Sequence, residues 1–311
     1  MEQKFNYIIY GLSVRSDICI QEAYMAGCES AAVTEKEPDV TIEKGKIPGF
    51  LREAAEKGYG TWTNGFENAW FRVPDSGQVY VEKGRKIVVE TEENANMDLV
   101  CSMLLSAGFA LILLQRNEPV IHGSAVVYDG EAVIVSGESG AGKSTITMEL
   151  LKQDVGFLAD DTVRVHLQEG RVVASPAYPQ QKICRNMVEE YGLKLEKLRY
   201  IDEQRDKFAM MRTDRYVAEA TPVKMMVVLK KKEDAKEVFS EKLQGKEYLD
   251  TLIDNLYLAD TYKYNVGVSM QLMQQMLLMA GGVPFFAIYR PVEGNTIEAV
   301  VGEIKKILQL C

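Results

Sequence analysis

Apolar and polar positions follow two rhythms along this chain, and the change falls near residue 95. Before it, short stretches alternate in the period of two that marks half-buried strands. "FNYIIYGLSVRSD", from Phe5, alternates over part of its length. "PDVTIEKG" and "AWFRVPDSGQVYVEKGRKIVVET" read as strands joined by Asp-Ser-Gly and Lys-Gly turns. Trp62, Trp70 and Phe71 fall in these strands, where core packing is the commoner role of an aromatic residue and the lining of a groove the alternative. Met97 to Leu114 then reads as one helix. Its most apolar part, Ser102 to Leu114, is shorter than the roughly 18 residues that span a bilayer, so it reads as a buried core helix.

From Pro119 the pattern becomes α/β. Compact apolar runs predict strands at Ala125 to Tyr128, Ala132 to Val135, Gly156 to Ala159, Thr162 to His166, Met225 to Leu229 and Phe285 to Tyr289. Helical spacing predicts helices at Thr145 to Lys152, Lys246 to Leu258, Ser269 to Ala280 and Ile297 to Leu308. The last follows "EGNT", where Asn295 or Thr296 caps it and Glu298 puts an acid in its first turn. The stretch from about Ser175 to Ala220 is charged and weakly periodic, and is expected to be a mobile lid or substrate loop.

One segment carries explicit chemistry. "VIVSGESGAGKSTITMEL" contains the full phosphate-loop pattern: Gly137, Glu138, Ser139, Gly140, Ala141, Gly142, Lys143 and Ser144, followed by Thr145. A predicted strand precedes it and a predicted helix follows, which is the context the motif needs. Glycines let several backbone N–H groups converge on one anion, and the helix N-terminus adds positive potential. ATP is the expected ligand, with Lys143 at the β- and γ-phosphates and the Ser144 hydroxyl on Mg²⁺.

"VGFLADDTVRV" follows, with Asp160 and Asp161 at the end of an apolar strand. Neighbours on a strand point to opposite faces, so one carboxylate can face a metal while the other faces an acceptor. A parallel sheet would place that strand end beside the phosphates. Phosphoryl transfer to a hydroxyl needs Mg²⁺ and a positioned base, and an Asp pair serves both. A hydrolytic NTPase also carries a metal aspartate there, so the pair leaves the acceptor open. His122, in "VIHGSAV", precedes the strand that leads into the loop.

Composition narrows the classes. The 311 residues are 47% apolar, the level of a folded protein long enough for one large or two ordinary domains. A net charge of −9 argues against a general nucleic-acid partner. The N-terminus lacks a signal-peptide pattern, so a cytoplasmic protein with no membrane partner is expected. Cys19, Cys28, Cys101, Cys184 and Cys311 are scattered and read as thiols in a reducing compartment; two histidines leave little scope for zinc. The run Lys230, Lys231, Lys232 reads as a solvated strand end or a patch for an acidic peptide.

"IHGSAVVYDGEAVIVSGESGAGKSTITMELLKQDVGFLADDTVRV" resembles the catalytic core of the HPr kinase/phosphorylase family: His-Gly pair, strand, phosphate loop, helix, Ala-Asp-Asp strand end. A looser likeness, through "YGL", "QRNEPVIHGSAV", "SPAYPQQKI" and "RDKFAM", is to HPr-kinase-related proteins of ribosomal-peptide biosynthesis, including lasso-peptide kinases. The resemblance implies an HPr-kinase/carboxykinase-like P-loop domain over residues 96–311 and a smaller β-rich domain over 1–95 that presents the acceptor. It also implies that Lys143 polarises the transferred phosphate, Ser144 and Asp160 serve the metal, Asp161 accepts the hydroxyl proton and His122 is a site histidine. Tyr178, Pro179, Asp206 and Lys207 fit the related proteins, and Arg205 or Lys207 would clamp phosphate charge. The Glu-containing segment and Arg-Gly loop of the bifunctional enzymes are missing, since Glu189 and Glu190 lack that context, so no efficient phosphorylase activity is expected. The implied function is an ATP-dependent kinase acting on a serine-type hydroxyl of a peptide or small protein. A nucleotide-driven switch, a kinase of a small hydroxyl metabolite and a carboxykinase-like enzyme stay open as alternatives. Related kinases being oligomeric, a homo-oligomer stays open too.

Overall fold

The structure is a computed structural model that describes residues 3–24, 37–57, 59–202 and 206–311; Cys28 and Arg205 lie outside them. β1 (Phe5–Ile9) and β2 (Leu12–Ser16) form a hairpin whose turn residues, Tyr10 and Gly11, have φ of 53° and 70°. Paired positive φ values match the twist of a two-residue hairpin. After α1 (Gln21–Tyr24) come β3 (Val40–Lys44), α2 (Gly49–Glu56), β4 (Thr61–Asn64), β5 (Asn68–Val73), β6 (Gly77–Glu82) and β7 (Lys86–Thr91). The sheet runs β1-β2-β3-β7-β6-β5-β4, so β4 ends it.

α3 (Met97–Met103) and α4 (Phe109–Gln115) are joined by a π-helical turn, Leu104–Gly108. The Asn96 side chain caps the start by accepting from the N–H groups of Asp98 and Leu99. Capping carries the helix past its apolar run, so Met97–Gln115 reaches 19 residues, long and apolar enough to cross a membrane. That is longer than the run read from the sequence. Within the protein, 72% of its most apolar window is buried. It packs against β5 and β6 on one side and the second half of the chain on the other.

The second half opens with β8 (Val120–Ile121), β9 (Gly123–Tyr128), β10 (Glu131–Gly137), α5 (Lys143–Leu151), β11 (Gly156–Ala159), β12 (Val163–Gln168) and β13 (Arg171–Ala174). β14 (Gln180–Cys184), α6 (Arg185–Glu190), β15 (Arg199–Asp202) and β16 (Lys207–Met211) follow. The chain closes with β17 (Thr221–Lys231), β18 (Phe239–Lys242), α7 (Gly245–Asp254), a π-helical turn at Thr261–Val266, α8 (Met270–Gly282), β19 (Phe285–Arg290) and α9 (Ile297–Leu310). Each strand and helix expected beyond Pro119 overlaps one of these.

Two expectations change. The sheet is mixed rather than parallel: β10, β17 and β19 run parallel, but β9 is antiparallel to both β10 and β11. The Asp129-Gly130 turn, with φ of 46° and 79°, reverses the chain between β9 and β10. β11 therefore still runs in the direction of β10, and their C-terminal ends lie at the same end of the sheet, on either side of β9. The charged stretch after Ser175 is not simply a loop. It builds the antiparallel sheet β14-β16-β15, packed on Met148, Ile183, Met187, Val188 and Phe208.

The largest apolar cluster crosses residue 95 without a break: Ile9, Val79, Leu104, Phe109, Ile121, Leu158 and Val163 belong to it. Polar contacts reinforce it. The Tyr10 hydroxyl bonds to Thr162 and donates to the Leu105 carbonyl at 3.1 Å. Arg164 donates to the Tyr10 carbonyl at 2.6 Å and pairs with Glu118.

Candidate active site

β10 delivers the chain to Gly137, whose φ is 142°. A Cβ there would sit 2.8 Å from the Leu229 carbonyl oxygen of β17, so only glycine fits. Gly140 and Gly142 follow with φ of 78° and 102°. α5 starts at Lys143 with no side-chain cap, leaving its first N–H groups to the loop. These features fit a polyphosphate. Glu138, Ser139 and Gly140 are exposed, Ala141 is buried, and Gly142, Ser144 and Thr145 are half-buried.

Lys143 folds back over the loop, donating to the Gly137 carbonyl at 2.7 Å and the Glu138 carbonyl at 3.1 Å. Burial lowers its pKa, while Asp161 and Asp160 work the other way. The Ser144 carbonyl accepts from Gln181 at 3.1 Å, and Gln181 in turn accepts twice from Arg212, at 3.0 and 2.6 Å. β14 is thereby tied to the loop.

The two aspartates have opposite surroundings. Asp160 is only 4% exposed; its carboxylate accepts from the Ser124 hydroxyl at 2.5 Å and the Lys182 N–H at 2.8 Å. Burial nonetheless pushes its carboxyl up, because the charged form loses water. Asp161 has a left-handed φ of 69°. Its carboxylate accepts from the Lys182 ammonium at 2.9 Å. Burial alone would raise it, but the Lys182 and Lys207 charges, the Lys182 hydrogen bond and His122 hold it well below the usual carboxylate range. One carboxyl is thus biased toward its protonated form and the other held ionised.

His122 stands between β8 and β9. Its N–H donates to the Asn255 carbonyl at 2.8 Å, and its ring meets Tyr257 edge-on at 5.6 Å. Lys207, on β16, is half-buried and acts electrostatically on Asp161, Asp160 and Lys143. Asp206 instead forms a two-pronged pair with Arg185, at 2.6 and 3.0 Å. Tyr178 is buried, with its hydroxyl unpaired among the described residues. Glu189 and Glu190 are exposed on α6.

Residues 115–260 match the family model described as the HPr Serine kinase C-terminal domain. That stretch of the chain is similar to this domain. It is 31% identical over 117 residues to an HPr kinase/phosphorylase of Clostridium tetani, covering 36% of this chain and 37% of that protein. It is 33% identical over 97 residues to that of Limosilactobacillus reuteri, covering 30% and 29%. The chain spans about a third of the length of these curated relatives. A solved structure, the Hpr(Ser) kinase/phosphatase from Coxiella burnetii, aligns with 61% of this chain and 97% of that one, at 11% identity and a TM-score of 0.33. The narrower likeness to ribosomal-peptide kinases rests on sequence motifs alone.

Two residues that the structure brings to the candidate site carried no motif. Lys182 bonds both aspartates, one through its backbone and one through its side chain; "QQKIC" reads only as a short strand. Arg290 ends β19 and donates to the Ala141 carbonyl of the loop at 3.0 Å. Its position at the C-terminal end of a parallel strand was the usable signal. Asp161, Lys182 and Lys207 also line a cavity of about 1040 Å³, whose lining includes Trp62, Trp70 and Phe71; the two tryptophans pack with Ile47 and Leu51. The aromatic residues are therefore both core and lining: Trp70 and Phe71 are 1% and 5% exposed.

Proposed function

We propose that this chain is an ATP-dependent kinase that moves the γ-phosphate to a serine-type hydroxyl of a peptide or small protein. The observation that carries this reading is Asp161: a carboxyl held below its usual range by Lys182 and Lys207, acting electrostatically on Lys143 of the phosphate loop and lining a cavity. Backbone N–H groups at Gly140 to Ser144 bind the phosphates, and Lys143 turns from the loop carbonyls to the transferred group. Ser144 and Asp160 would hold Mg²⁺, which supplies charge neutralisation between phosphates. Asp160 has two of its carboxylate lone-pair sites engaged by Ser124 and Lys182, so it is oriented and retains acceptor capacity.

Asp161 takes the proton of the acceptor hydroxyl as its oxygen bonds to the γ-phosphorus. The bond from phosphorus to the bridging oxygen breaks, and ADP leaves with that electron pair. Lys182 and Lys207 keep Asp161 ionised and in place, and His122 adds to that field. Residues 1–95 are read as the acceptor side and 96–311 as the kinase side of one molecule. Incubation with Mg·ATP and serine-containing peptides, followed by mass spectrometry, tests the proposal. One phosphate gained on a hydroxyl is expected; ADP release without any phosphorylated acceptor overturns it.

A further inference from the structure

The cavity in front of Asp161 has a shape and lining that specify more than a hydroxyl. At about 1040 Å³ it sits at the upper end of the roughly 300–1,000 Å³ typical of small-ligand pockets. It is too small for a folded domain and large for a single metabolite. Thr61, Trp62 and Thr63 all line it. Adjacent strand residues point to opposite faces, so a cavity touching three in a row meets β4 at its edge. β4 is the terminal strand of its sheet, with the turn at Thr261–Val266 packed against part of it, and an edge of this kind is a template for an added strand.

The lining is apolar beside that edge and charge-balanced elsewhere: Arg72, Lys182 and Lys207 face Asp75, Asp161 and Asp202. Neither a strongly acidic nor a strongly basic ligand is favoured. Both π-helical turns among the described residues border the cavity, through Ser106 and Ala107 on one side and Thr261 and Tyr264 on the other. π-Turns are rare and concentrate at functional sites.

We infer that the acceptor is an extended peptide segment lying along the β4 edge, with an aromatic or large apolar side chain next to its hydroxyl residue. The main chain pairs with β4, the apolar side chain packs toward Phe71, Leu99 and Met103, and the hydroxyl reaches Asp161. This rests on the kinase reading above and names its acceptor.

Two readouts keep the inference apart from that reading. Calorimetric binding of synthetic peptides without nucleotide reports on the cavity; phosphate gain with Mg·ATP reports on the kinase. Peptides with Phe or Trp beside serine should bind about tenfold to a hundredfold more tightly than those with Ala, as burial of an aromatic group implies. N-methylation of alternate backbone amides in the peptide should weaken binding in one register and spare it in the other. Ala107→Phe, which projects a ring into the cavity, should weaken peptide binding at least tenfold and leave nucleotide affinity unchanged. If Ala107→Phe does not fold, the N-methyl series decides by itself. Indifference to the aromatic neighbour and to N-methylation overturns the inference. So does phosphorylation of a folded protein's surface serine, or of free hydroxyl metabolites, in preference to such peptides; the first result leaves the kinase reading standing, and the second replaces its acceptor with a small metabolite.

Discussion

The proposed phosphate end and the proposed acceptor end of this site meet at Asp161 but are assembled differently. The phosphate end is one continuous piece of chain, from the turn of β9 into β10, through the glycine loop, to the end of β11. Its chemistry is mostly backbone: glycines with positive φ, a bare helix N-terminus and one lysine lying over two carbonyls. The acceptor end is collected from β4, β5, the helix of residues 97–115, β14, β16 and the turn at Thr261–Val266. Its chemistry is side chains placed by long-range packing. A local motif can carry a phosphate site through many folds, whereas the acceptor site belongs to one packing arrangement.

The largest effect should come from the phosphate end. Lys143→Ala removes the loop's own cation, and a cation on a transferring phosphoryl group is worth about 10³–10⁵ in rate. Phosphate transfer measured under nucleotide saturation should fall by that amount, and peptide binding should not change. Peptide affinity falling in parallel would mean that the two ends are not separable. Asp161→Asn comes next, at about 10²–10⁴ in kcat, because Asn is nearly isosteric and cannot take the hydroxyl proton. Nucleotide affinity should survive. If Asp160→Asn is the inactive variant instead, the roles of the two carboxylates are exchanged.

The contrast also explains what could be read in advance. Gly137 to Thr145, Asp160 and Asp161 announce themselves because backbone geometry and strand-end placement leave a local residue pattern. The strands and helices that were read beyond Pro119, such as β10, α5, β17 and α9, were legible for the same reason. The direction of β9 was not inferred, although Asp129-Gly130 is a hairpin signal between two apolar runs. The sheet formed by β14, β15 and β16 was hidden by charge: Lys182, Arg185, Asp206 and Lys207 serve each other and the aspartates, which disturbs the apolar rhythm a strand usually shows. The cavity was invisible because no single stretch of chain contains it.

Lys182 belongs to both ends, so its removal should give an intermediate effect with a pH signature. Its ammonium lies 2.9 Å from Asp161 and is largely buried. Leaving a buried partner unpaired costs about 3–5 kcal/mol. Lys182→Met should lower the melting temperature, and Lys182→Met with Asp161→Asn should recover part of the loss. The sign of the pH effect follows from the folded carboxyl of Asp161 lying below its unfolded value. Its stabilisation is complete above the ordinary carboxylate range and is lost as pH falls through the depressed value. Without Lys182 the carboxyl rises toward its ordinary value, so the acid limb of the kcat profile should move to higher pH. An unmoved acid limb would show that Asp161 is not the group that titrates in the reaction.

Tyr178 gives the smallest expected effect and separates packing from chemistry where the ends join. It is 1% exposed, packs edge-on against Tyr10 at 6.3 Å, and its hydroxyl has no partner among the described residues. Burial, with the Asp161 and Asp160 charges nearby, pushes its phenol well above the ordinary value, so it stays neutral. A buried hydroxyl without a partner carries a desolvation penalty of about 1–3 kcal/mol. Tyr178→Phe keeps the ring and removes that penalty, so the melting temperature should hold or rise slightly, and nucleotide affinity should not change. Were the hydroxyl only a packing residue, kcat would stay constant as well. A drop in kcat of tenfold or more, with stability kept, would instead assign the hydroxyl to the acceptor or the transferred phosphate, since nothing else in its surroundings would have been lost.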